Sequence, residues 1–142
     1  MRQVKPYVTA FFTGGTVYAA AEIAWRGFTH WSMFFTGGVC LAGLYRLRQK
    51  MQGRKNILFC VAGGVWITAV EFLVGCTVNL LLGWQVWDYS HVFLNLLGQI
   101  CLPYTLLWMI LSYPAGRMCD KICGYFSRST SKTRQSGSPT TL

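Results

Sequence analysis

The sequence predicts an all-α membrane protein of four transmembrane helices with both ends in the cytoplasm. Three observations lead there. Of the 142 residues 53% are apolar or aromatic and only 12% are charged, against about 25% charged in an average soluble domain. The scarcity of charge is concentrated in continuous apolar runs at 7–25, 31–45, 57–82 and 92–113. Basic residues then alternate between the segments that join those runs. Arg2 and Lys5 precede the first, Arg46, Arg48, Lys50, Arg54 and Lys55 lie between the second and third, and Arg117, Lys121, Arg128, Lys132 and Arg134 follow the fourth. The 26–30 connection holds only Arg26, and 83–91 holds no Lys or Arg. Cytoplasmic connections carry the Lys/Arg excess, so the pattern fits an even number of spans with both termini inside.

The elements follow in order. Residues 1–6 are a short basic lead, and the membrane domain is expected over 7–116. The first run meets the roughly 17–25 residues a bilayer core requires. Its lead and Ala19-Ala20-Ala21 also resemble a signal peptide cleaved before Glu22. The internal Thr13, Gly14, Gly15 and Thr16, and the apolar residues resuming at Ile23, weigh against cleavage. The second run is short and reaches spanning length only if 28–30 or 46–47 join its helix. The third is long enough. The fourth is expected to kink at Pro103 and to stop at Pro114 and Gly116, because proline breaks the helical hydrogen-bond ladder. Residues 117–126 suit a short interfacial helix, with Met118, Ile122, Tyr125 and Phe126 toward lipid. Residues 127–142 are Ser/Thr-rich, basic and free of acid, and are expected to be a disordered tail drawn to anionic lipid. Continuous rather than alternating hydrophobicity disfavours strands. Trp25, Trp31, Trp84, Trp87 and Tyr89 fall at the two outer connections, where aromatic residues anchor to the interface.

A shift of 49 positions superposes Gly14, Gly15, Ala20 and Glu22 on Gly63, Gly64, Ala69 and Glu71. Two hairpins in the same orientation, forming a parallel repeat, would explain it. Gly pairs at 14–15, 37–38 and 63–64, with Gly98, are expected to let helices approach closely. Of the Cys residues, Cys40, Cys60, Cys76 and Cys101 sit in apolar runs as small hydrophobes. Cys119 and Cys123 are on the side where disulfides are rare.

The chain has 4 acids. Glu22 and Glu71 lie in apolar runs, at an insertion cost of about 2.5–3.5 kcal/mol each, so partners facing the bundle interior are expected. Glu22 and Arg26 are spaced to pair on one helix face, and His30 would continue that face. Glu71 lies about 14 residues, or roughly 21 Å, into its helix, with Arg26, His30 or His91 as candidate partners. Asn79 lies two turns further on, Asn95 and Gln99 are spaced for one face of the fourth helix, and Asp88 is in the outer connection. The expectation is one polar cluster of Glu22, Arg26, His30, Glu71, Asn79, Asp88, His91, Asn95 and Gln99 in the outer half of the membrane. It would serve as a ligand or ion site, or only as interhelical glue. No HExxH, GxSxG or phosphate-loop motif is present, so neither catalysis nor a cofactor is expected. No metal site is expected either, because the His and Glu spacing is scattered. Topology accounts for the net charge of +9, so no nucleic-acid partner is expected.

Two stretches carry a family resemblance. One is Glu22-Ile-Ala-Trp-Arg26-Gly-Phe-Thr-His30-Trp-Ser-Met33 with Gly37-Gly38. The other is Glu71-Phe-Leu-Val-Gly75, Asn79, Gly83-Trp84-Gln-Val-Trp87-Asp88-Tyr89-Ser90, Asn95 and Gly98-Gln99-Ile-Cys101-Leu102. Over about residues 10–110 the chain resembles the bacterial ABC-transporter permease type IV (CmpB-like) family. The resemblance implies a transport role in the cell (inner) membrane, but it supplies no catalytic or substrate residues. The chain departs from the family pattern at His91-Val92-Phe93-Leu94, where a Pro is expected after Tyr-Ser. Four helices are few for a solute path, so the chain would need to form a homo-oligomer or join a partner, and without an ATP site of its own any nucleotide-driven function would need a separate ATPase subunit. The alternatives are a small structural or regulatory membrane protein, then a membrane-embedded enzyme or a pore-forming lysis protein.

Overall fold

The structure is a computed structural model and describes residues 4–136, with side chains to Ser129. It is built on four α-helices: α1 Val4–Arg26, α2 Trp31–Lys50, α3 Asn56–Gly75 and α4 Leu102–Ser136. A π-helical segment, Cys76–Leu81, extends α3. Two short strands, β1 Asn95–Leu96 and β2 Ile100–Cys101, form an antiparallel hairpin with Asn95 opposite Cys101 and Leu96 opposite Ile100.

α1 packs chiefly on α2, and α3 chiefly on α4. Glycine makes the first contact close. A Cβ on Gly14 would strike the carbonyl oxygen of Gly37, and one on Gly37 would strike Tyr18. The glycines of α3 play the same part toward α4, with Gly63 against Ser112 and Gly64 against Met109. The larger core gathers Leu41, Leu44 and Tyr45 of α2, Phe59, Ile67 and Val70 of α3, and Cys119 and Ile122 of α4. A smaller one joins Met33, Val78, Val86 and Trp87 beneath the connection that precedes β1. On the opposite end, Arg48 ties α2 to α4 and to the start of α3. Its Nε and one terminal nitrogen donate to the two Asp120 oxygens at 3.0 and 2.9 Å, and the other donates to Asn56 at 3.1 Å. The cysteines are all free.

The second helix gains its length at its C-terminal end, running through the basic residues 46–50, whereas 28–30 stay outside it. The fourth run differs from expectation. Residues 92–101 are not helical, and α4 begins only at Leu102, so Pro103 lies in its first turn, where its missing N–H costs no helical bond. Polar side chains supply the backbone partners that a helix would otherwise provide. The Asn95 amide donates to the carbonyls of Ser90 and Val92 and accepts from the Gly98 N–H, and the Gln99 amide donates to the carbonyl of Leu97. Leu94, Leu97 and Gly98 take positive φ values of 49°, 52° and 67°. α4 also runs through Pro114 rather than ending there. One backbone bond is lost there, and just beyond it the bare Gly116 lets Phe59 pack close to the helix. Extension to Ser136 continues existing turns, which costs far less than starting a new helix. The segment 127–136, expected to be disordered, is therefore helical, and 137–142 lies outside the described residues.

One helix among the described residues, Asn56–Leu81, is long and apolar enough to cross a membrane, with a mean hydropathy of 2.2 in its most apolar window. The others are punctuated by polar residues: Thr9, Thr13, Thr16 and Tyr18 in α1, the basic end of α2, and the Ser- and Tyr-containing stretch of α4.

Candidate functional site

The polar residues of the apolar runs fall into two groups. The first is a single buried carboxylate. Glu71 sits on α3 with 2% of its surface exposed. Its Oε1 accepts from the Tyr18 hydroxyl of α1 at 2.8 Å, and its Oε2 accepts from the Trp108 indole N–H of α4 at 2.8 Å. The two aromatic rings stack at 5.7 Å. Arg26, His30 and His91, the partners expected from sequence, do not bond to it, and among the described residues no cation forms a salt bridge with it. Both donors are neutral.

The second group is a chain of bonds nearer the connections. Arg26 pairs with Glu22 at 2.6 Å, and Thr29 donates to the other Glu22 oxygen at 2.7 Å. Arg26 also donates to the carbonyl of Val86 at 3.0 Å. The Val86 N–H donates to Asn79 at 2.7 Å, and Asn79 donates to Gln99 at 2.8 Å. The Trp87 indole then donates to the backbone carbonyl of Gln99 at 2.9 Å. This network links α1, the π-helical segment and the β2 edge. The π-helical turn, common at functional sites, aims Asn79 between Val86 and Gln99. The buried Nε of Arg26 has no partner.

The remaining candidates lie elsewhere. His30 caps α2, hydrogen-bonding through Nδ1 with the Ser32 amide and hydroxyl, and its ring sits 5.4 Å from those of Trp31 and Trp84. Asp88 closes an exposed turn on Ser90, and the Ser90 hydroxyl and amide, donating to it, hold its carboxyl below the usual range. His91 is exposed, and Asn95 shapes the hairpin instead of sharing a helix face with Gln99. The single cluster expected from sequence is therefore resolved into the network, the isolated Glu71 and these surface turns. Sequence reasoning missed Tyr18, Trp108, Thr29 and the Val86 backbone. Tyr18 had a signal, lying four residues before Glu22 on the same face of α1. The backbone of Val86 had none.

Among the described residues, His, Cys, Asp and Glu nowhere gather into a group of three or more that could hold a metal ion. Far from the site, hydrogen bonding to Asp120 holds the Arg48 guanidinium above its ordinary range.

The fold and these sites define an all-helical protein whose longest apolar helix carries a buried acid. Its family is shown directly. The model of the family described as "Putative ABC-transporter type IV" matches residues 8–138, and the chain belongs to that family, as its sequence resemblance implied. No curated protein and no solved structure gives a significant match.

Proposed function

We propose that the chain is a polytopic subunit of a membrane transporter, permease-like, with Glu71 as the polar site of its path. In this reading α1, α2, the Asn56–Leu81 helix and the first part of α4 cross the bilayer. The basic end of α2, the 51–55 connection and the C-terminal half of α4 lie in the cytoplasm. Family membership supports the transport role. The outward-facing apolar surface supports the membrane reading. Only 33% of the most apolar window of Asn56–Leu81 is buried inside the protein, whereas the core helix of a soluble domain is mostly covered. Leu73, Leu80, Leu106 and Ile110 are each exposed, as lipid-facing residues would be. α4 has 35 residues, a length of about 52 Å at 1.5 Å per residue. It therefore exceeds a core of about 30 Å and would project into the cytoplasm.

The observation that carries the site is Glu71 itself. An acid within an apolar helix marks a functional pathway by default, and here it meets only neutral donors. A second reading has its own support. Glu71 joins α1, α3 and α4, so its role could be to hold the bundle together. Glu71→Gln separates the two. Expressed in a strain lacking the chain, the variant is expected to reach wild-type abundance in membranes and to fail to restore the deletion phenotype. Loss of abundance and function together would favour the structural role. Full complementation at normal abundance would refute the transport site.

A further inference from the structure

An apolar groove of about 420 Å³ opens between the C-terminal half of α2 and the middle of α3. Gly43 and Leu47 line one wall, and Ala62, Val65 and Ala69 the other, with Trp66 between them. The three- and four-residue spacings place each set along one helix face. The small residues leave the space. The Trp66 ring lies against Gly43 and is fixed by its N–H bond to the carbonyl of Cys40 at 3.2 Å.

Arg46 and Lys50 complete the lining. Both are exposed, one turn apart on α2. Every acid of the chain is engaged elsewhere: Glu22 with Arg26, Glu71 with Tyr18 and Trp108, Asp88 with Ser90, and Asp120 with Arg48. Two cations thus stand uncompensated at the end of an apolar trough. That arrangement is complementary to one kind of molecule, an anion attached to a hydrocarbon chain. A basic pocket between helices on the cytoplasmic side recognises such headgroups.

We propose that this groove binds one anionic phospholipid of the cytoplasmic leaflet. Its acyl chain lies along Ala62, Val65 and Ala69 beside Trp66, and its phosphate is held by Arg46 and Lys50. The assignment of leaflet rests on the orientation proposed above, whereas the binding itself does not.

The full chain, purified in a non-ionic detergent, is titrated by native mass spectrometry with phosphatidylglycerol and with phosphatidylcholine of identical acyl chains. Preference for phosphatidylglycerol is expected to be about 30-fold, the factor given by two basic side chains each contributing about 1 kcal/mol. Arg46→Gln/Lys50→Gln is expected to abolish the preference. Ala69→Phe, which fills the trough from an exposed position, is expected to weaken both lipids at unchanged Tm. Arg117→Gln/Lys121→Gln, on α4, is expected to leave the preference intact. Equal binding of the two lipids, or loss of preference only in the Arg117/Lys121 variant, would overturn the proposal. So would displacement of the lipid by millimolar inorganic phosphate, which would make the site one for a free anion. Reversed orientation would appear in reporter fusions and leave detergent binding unchanged, so the two failures are distinguishable.

Discussion

Removing the Tyr18 hydroxyl is the sharpest perturbation of the buried carboxylate. Tyr18→Phe keeps the ring, and with it the stacking on Trp108 at 5.7 Å, and deletes only the donor at 2.8 Å from Glu71. A hydrogen bond to a charged group is worth about 1.5–3 kcal/mol in soluble proteins. Between membrane helices the measured average is nearer 0.6 and the maximum about 1.7 kcal/mol. Glu71 is 2% exposed, so water cannot readily replace the lost donor, and the upper part of the membrane range applies. Destabilisation of about 1–1.7 kcal/mol is expected. Glu71→Gln should cost less, because its amide oxygen still accepts from the Trp108 indole N–H while its N–H₂ donates to the Tyr18 hydroxyl, which can accept as well as donate. The double variant should cost less than the sum, with a coupling of about 0.5 kcal/mol or more. Reversible unfolding in mixed micelles of rising SDS fraction measures all three. Additive effects within about 0.3 kcal/mol, or a Tyr18→Phe variant as stable as wild type, would refute the idea that these groups act on one another.

Other outcomes are equally specific. Gly37→Val places a branched side chain against Tyr18 and the Gly14 backbone, and should cost about 1–3 kcal/mol, read in the same unfolding assay. Gly98→Ala combines a φ of 67° with crowding by Ser90 and Asp88, and should destabilise by about 1–2 kcal/mol, with limited proteolysis reporting hairpin opening. Asp120→Asn weakens a partly exposed pair with Arg48 and should cost no more than about 1 kcal/mol, by thermal unfolding. Asp88, whose folded carboxyl titrates below its ordinary range, stabilises its turn at pH values above about 3.9, and this contribution is lost as pH falls through the lower folded value. Amide exchange at Ser90, referenced to an exposed amide, should accelerate in that acid range in wild type and show no such step in Asp88→Asn.

The helices were legible because apolar runs set their positions, and the Glu22–Arg26 pair because a four-residue spacing is a local property of one helix. The shortness of the second run left two ways to lengthen it, through 28–30 or 46–47, and only the fold shows that its basic end is the helical one. The entry to α4 is not legible. In 92–101 the hydropathy is that of a span, but Asn95 and Gln99 bond to the backbone of their own loop and to Asn79. Such choices depend on what the fold brings near. The partner of Glu71 is illegible in the sequence for a related reason. Charge counting favours a cation, whereas packing supplied a phenol and an indole, each of which also fills volume.

Topology tests the account most directly. Reporter fusions placed after Gly53, after Gln85 and at the C-terminus give a fluorescent protein where the site is cytoplasmic and active alkaline phosphatase where it is external. Fluorescence is expected after Gly53 and at the C-terminus, with phosphatase activity after Gln85. Phosphatase activity after Gly53 would contradict the membrane arrangement on which the proposed transport role depends.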